Sequence, residues 1–127
     1  MNKIEYWLDL AIYDLETAKA MLDSKRFLYV GFMCHQTIEK GLKAYYVNLH
    51  NDQPPYIHNL IRLAEKAGLY ERMSEDQKDF YDFLDPLNIE ARYPNEKDQL
   101  LALLTYEMCE QLLHKTEGEL EWIQKQL

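Results

Sequence analysis

Four groups of residues in this sequence have the types and spacing to do chemistry. The first is Gln36, Glu39, Lys40 and Lys43, with His35 beside them. On a helix, spacings of three and four place the four on one face. They then form either a solvated stripe, with a Glu39–Lys43 pair worth about 0.3 kcal/mol, or a polar patch at a groove or subunit seam that holds an anionic group. The second group is Pro54-Pro55-Tyr56-Ile57-His58-Asn59-Leu60. Its prolines stiffen a loop that delivers His58 to a helix start. His58 or Asn59 can cap that helix; imidazole near neutral pH also serves as acid, base or ligand.

The third group is Ala91-Arg92-Tyr93-Pro94, just before the last helical segment. Helix N-termini favour anions, and Arg adds a planar fork suited to phosphate or carboxylate. An internal salt bridge is the competing use of Arg92. The fourth group is Glu107, Glu110, His114, Glu117 and Glu121. A di-metal bundle site wants Glu-x-x-His motifs pointing inward, and this sequence contains none. A solvated acidic face is the expectation, with no metal site. His50 stands at a helix end, where capping is sufficient. A Gly-rich phosphate loop, zinc-ligand spacing and Gly-x-Ser-x-Gly are all absent, and Cys34 and Cys109 lack the setting of a nucleophile. The residues compose no catalytic set, and no cofactor is expected.

Helices must position these groups. Ile4, Leu8, Ala11, Leu15, Ala18 and Leu22 alternate spacings of four and three, which predicts a helix over Lys3–Asp23. After the polar break Ser24-Lys25-Arg26, a second helix is predicted over Phe27–Leu49, apolar around most of its girth near Tyr29–Cys34 and therefore central. Gly41 in its interior costs about 1 kcal/mol against Ala; a close helix crossing there would explain it. Pro54-Pro55 fix a loop over His50–Ile57, and a short helix follows over His58–Ala67 with Gly68 as its stop. Ser74 and Gln77 form a capping box for the next helix, which Pro86 breaks or kinks. Asn95 is the expected cap of a last helix running from Glu96 to near the end, with Leu101, Leu104, Met108, Leu112, Leu120 and Ile123 as its stripe. The fold class is all-α: an up-and-down bundle of about five helices, three of them long, in one domain over residues 1–127.

Composition agrees. Hydrophobic residues make up 47% of the chain, enough for a core, and the formal net charge is −8. That charge argues against non-specific binding to nucleic acid backbone. The first fifty residues are electrically balanced and the acidic excess follows them, so an anionic ligand should prefer the first half or Arg92 over Glu75–Asp85. The cysteines read as buried free thiols. With no apolar run of the roughly 20 residues that span a bilayer and an amphipathic N-terminus, a cytoplasmic protein off the membrane is expected.

In order and spacing, these residues together resemble the HEPN family of small helical domains. The similarity covers most of the chain: Tyr6-Trp7-Leu8-Asp9-Leu10-Ala11 through Asp14-Leu15-Glu16-Thr17-Ala18, then the more specific Phe32-Met33-Cys34-His35-Gln36-Thr37-Ile38-Glu39-Lys40-Gly41-Leu42-Lys43-Ala44, then Pro55, His58-Asn59-Leu60 and Leu63, and Ala91-Arg92-Tyr93-Pro94. The resemblance implies a homodimer that binds a nucleotide or RNA near its seam, often beside a minimal nucleotidyltransferase in a toxin–antitoxin pair. Ribonuclease members carry a His shortly after the Arg at the start of the last helix. Here Arg92 is followed by Tyr93-Pro94-Asn95-Glu96-Lys97-Asp98-Gln99, and the next histidine is His114. A positioned acid or base typically contributes about 10²–10⁴-fold, and a carboxylate such as Asp98 matches imidazole near pH 7 only with a raised pKa.

The leading expectation is thus a non-catalytic nucleotide-binding or partner-binding module, with Arg92, Lys40 and Lys43 on phosphate and Tyr93, Gln36 and His58 lining the site. Two rivals stand beside it. One is a ribonuclease toxin with a non-standard site using His35 or His58; the other is a structural helical adaptor.

Overall fold

A computed structural model of the chain describes residues 2–89 and 96–127. Among the described residues there are six α-helices: α1 (Lys3–Asp23), α2 (Phe27–His50), α3 (Leu60–Ala67), α4 (Glu75–Leu84), α5 (Lys97–Leu103) and α6 (Tyr106–Gln126). Two short 3₁₀ turns, Tyr70–Arg72 and Asp85–Leu87, flank α4. The all-helical bundle is the expected class, with one helix more than the spacing suggested.

Local chemistry sets most boundaries. The Asn2 side chain accepts from the Glu5 amide at 2.8 Å and starts α1. Lys25 takes a left-handed φ of 60° in the polar break that turns the chain into α2. α3 ends at Gly68, whose φ of +88° suits glycine and whose absent Cβ would lie 2.8 Å from Leu49 Cδ2. Ser74 and Gln77 form the capping box reciprocally: the Gln77 amide donates to Ser74 Oγ and the Ser74 amide to Gln77 Oε1. Pro86 lies in the Asp85–Leu87 turn, which closes α4.

Two boundaries differ from the sequence expectation. The start of α3 moves to Leu60, because Asn59 rather than His58 caps it, accepting from the Arg62 amide at 2.9 Å. The expected single last helix is two. Leu104 and Thr105 leave the helical conformation, and Thr105 Oγ1 accepts from the Met108 amide at 3.2 Å to cap α6 anew. The apolar stripe runs across this break, so periodicity alone joined the two pieces. Asn95, expected to cap that helix, lies outside the described residues.

α2 is the central helix, packed on α1, α3 and α6. One core cluster draws on α1, α2, α3, α4, α5 and α6, with Ile38, Leu42, Leu60, Leu63, Tyr81, Leu84 and Ile123 at its heart. Gly41 is where α6 crosses: a Cβ there would sit 3.2 Å from Leu120 Cδ1 and 3.3 Å from Ile123 Cδ1. Cys34 and Cys109 are buried free thiols. Burial raises the Cys34 thiol to about 12 and the Cys109 thiol to about 11, so neither supplies thiolate at neutral pH. No helix among the described residues is long and apolar enough to cross a membrane.

Candidate functional site

The polar stripe of α2 is half enclosed: Glu39 and Lys43 are buried, while Gln36 and Lys40 are partly exposed. Tight packing of α2 encloses His35, Glu39 and Lys43, and each finds a partner, as buried charge requires. Lys43 Nζ donates to Glu39 Oε2 at 3.0 Å. His58 Nδ1, arriving from the Pro54-Pro55 loop, donates to Glu39 Oε1 at 3.0 Å. Glu39 thus joins α2 to that loop through both of its oxygens. On a solvated stripe the Glu39–Lys43 pair would be worth a few tenths of a kcal/mol; here it is a buried pair. Removing one partner of such a pair typically costs about 3–5 kcal/mol.

A second branch starts at His35, whose side chain is fully enclosed. Its Nε2 lies 3.3 Å from Asp85 Oδ1 and its Nδ1 lies 3.4 Å from Gln36 Oε1. Asp85 also accepts from the Leu60 amide at 3.1 Å and from Asn59 Nδ2 at 2.8 Å. One carboxylate from the turn after α4 therefore fixes both α2 and the start of α3. Lys40 points the other way and donates to Asp14, a buried carboxylate of α1.

The surface above Glu39 is aromatic. Lys43 Nζ lies 5.5 Å from the Trp7 ring centroid and 5.9 Å from that of Tyr56. Tyr56 is 89% exposed and meets the His58 ring edge-on at 4.8 Å between centroids. The His58 side chain is 40% exposed, so Glu39 holds Nδ1 while the rest of the ring faces outward. A cation, an oriented imidazole and two aromatic rings thus share one edge of the bundle. Such a set can take a planar ring by stacking, while the charge of Lys43 is matched by Glu39.

Of the residues singled out in sequence, Lys43 and His58 meet on Glu39, and Gln36 joins through His35. Lys40 is drawn to Asp14 instead. Arg92 and Tyr93 lie outside the described residues. Sequence reasoning missed Trp7 and Tyr56 as stacking partners and Asp14 and Asp85 as anchors. Tyr56 had a signal, since an aromatic directly after two prolines is displayed by a stiff loop. Asp85 had none, because its partners are about 25 and 50 residues away in the chain. His50 Nε2 bonds the Lys66 carbonyl at 3.1 Å, a capping role on α3. Glu107, Glu110, His114 and Glu121 are exposed, Glu117 pairs with Lys19 at 2.9 Å, and no group that could hold a metal occurs among the described residues.

The fold has a solved counterpart. It is similar to the crystal structure of TT1696 from Thermus thermophilus, with a TM-score of 0.82, 23% sequence identity and full coverage of both chains. At that identity the likeness establishes the fold alone. A search of curated proteins finds no match. The HEPN domain family model, however, matches residues 4–126, nearly the whole chain. The buried α2 pattern, the loop that meets it and this match lead to one conclusion: the chain belongs to the HEPN domain family.

Proposed function

We propose that this protein is a non-catalytic, homodimeric HEPN module that binds a phosphate-bearing aromatic ligand, a nucleotide or an RNA end, and works with a minimal nucleotidyltransferase in a toxin–antitoxin-like pair. The observation that carries the ligand half is Lys43 lying within 6 Å of both the Trp7 and Tyr56 rings beside the outward-facing His58. A base would stack on Tyr56, and base–aromatic stacking is worth about 1–3 kcal/mol. Lys40 and Lys43 are already engaged by Asp14 and Glu39, so Arg92 would be the principal phosphate contact, with Tyr93 and Gln36 beside it. The dimer and the nucleotidyltransferase partner rest on family membership.

One observation favours the ribonuclease rival. Glu39 orients His58 through Nδ1, as a general base is oriented. His35 fits that role poorly, because it is enclosed.

Titrating ATP and a short RNA into the full chain by calorimetry tests both. Saturable binding, weakened about tenfold or more in Tyr56→Ala and Arg92→Ala, is the expected result. No binding, or equal binding by both variants, overturns the ligand half. Cleavage of the RNA that disappears in His58→Ala would instead establish the enzyme.

A further inference from the structure

The acidic half of the chain contains a feature that the ligand-binding reading does not use. Between α4 and α6 runs a groove of about 660 Å³. Phe80, Phe83, Met108 and the buried Leu112 give its apolar lining, and Asp76, Asp79, Lys115 and Glu119 its charged lining. Phe83 is 39% exposed.

Glu119 is 92% buried, with a relative exposure of 8%. Its Oε1 accepts both of its hydrogen bonds, from Tyr81 Oη at 2.7 Å and from Gln77 Nε2 at 2.8 Å. Oε2 accepts none from the described residues and is not sealed from solvent. A carboxylate oxygen without a donor from the described residues, on a side chain that lines the groove, can accept from a cation there. Lys115 lies over the Phe80 ring at 5.9 Å and not on Glu119. Burial raises the Glu119 carboxyl above its ordinary value, which fits an acid whose partner is absent.

We propose that this groove docks an amphipathic basic segment of a partner protein, whose apolar side chains cover Phe80, Phe83 and Met108 and whose Lys or Arg pairs with Glu119 Oε2. Helix-in-groove binding places apolar anchors along one stripe and leaves the flanks for charge. Here the charge along the groove is acidic: Asp76, Asp79 and Glu119 line it against Lys115. That complementarity selects a basic occupant. A second copy of this chain suits it poorly, since each copy has a net charge of −8. None of the residues used here belongs to the α2–Tyr56 cluster, so the two proposals stand or fall separately.

The test uses the full chain labelled with ¹³C at the methionine methyls. There are five methionines, and Met108 is the one that lines the groove. The probe is a short amphipathic helical peptide of Leu and Lys, with the same peptide bearing Glu for Lys as control. The Met108 methyl should shift saturably with the basic peptide and not with the acidic one. Phe83→Ala and Glu119→Gln should each weaken binding about tenfold, while Glu71→Gln, an exposed acid outside the groove, and Tyr56→Ala should leave it unchanged. A silent Met108 methyl overturns the proposal. So does equal weakening by Glu71→Gln, which would mean attraction to bulk charge only. A Met108 shift that follows protein concentration without peptide would make a second copy the occupant, and that too overturns it.

Discussion

Glu119 pays for its position in the fold, and the cost is measurable. Burial disfavours its charged form, and the hydrogen bonds from Tyr81 and Gln77 offset only part of that. The phenol of Tyr81 is likewise held well above its ordinary value, first by burial and then by the neighbouring carboxylate, so it stays a donor. The folded-state value of Glu119 therefore exceeds the unfolded one. Between the two, the native state binds more protons, and stability falls as pH rises through that window. The contribution is fully present below the ordinary glutamate value and is lost above the raised one. Glu119→Gln keeps an acceptor for Tyr81 and Gln77 and removes the charge. Its Tm should exceed that of the parent at neutral pH, and the difference should shrink to little on acidification below the ordinary glutamate range. Calorimetric melts of both proteins across that range check it. A variant less stable than the parent at neutral pH would mean that the carboxylate already has a cation on Oε2.

At the scale of elements, the break between α5 and α6 shows what periodicity hides. Leu101, Leu104, Met108 and Leu112 keep helical spacing across Thr105, yet the chain leaves the helix there and restarts. Thr is a poor helix-interior residue and a good cap, and Thr105 Oγ1 takes the Met108 amide that a fresh N-terminus leaves unpaired. Thr105→Ala should cost about 1 kcal/mol, or roughly 4 °C in Tm for a chain of this size. Hydrogen exchange at Met108 should quicken; an unchanged Tm with slower exchange there would indicate that α5 and α6 had fused. Elsewhere the sequence was plain. Capping chemistry marked Ser74, Gln77 and Gly68, and the four–three stripe marked α1 to its last residue. The interior of the α2 stripe was not plain, because Glu39 and Lys43 at i,i+4 look the same on a wet face and in a core. Only contacts distant in sequence, from His58 and Asp85, distinguish the two. The groove was equally hidden, since it exists only once α4 and α6 lie side by side.

At the scale of the whole molecule, charge acts against self-association and for a basic partner, and salt separates the two. Each chain has a net charge of −8, with the acidic excess after residue 50. Two copies approaching to form the proposed homodimer repel at long range, and ions screen that repulsion beyond a Debye length of about 8 Å at physiological ionic strength. Dimerisation driven by apolar contact should therefore tighten severalfold as salt is raised from low to well above physiological. Docking of a basic segment in the α4–α6 groove depends on attraction between unlike charges and should weaken over the same range. Sedimentation of the chain alone, and of the chain with the Leu–Lys peptide, would show both trends in one salt series. A dimer that loosens with salt would place opposed charges in the seam and contradict an apolar one. With opposite signs of response, neither association can be mistaken for the other.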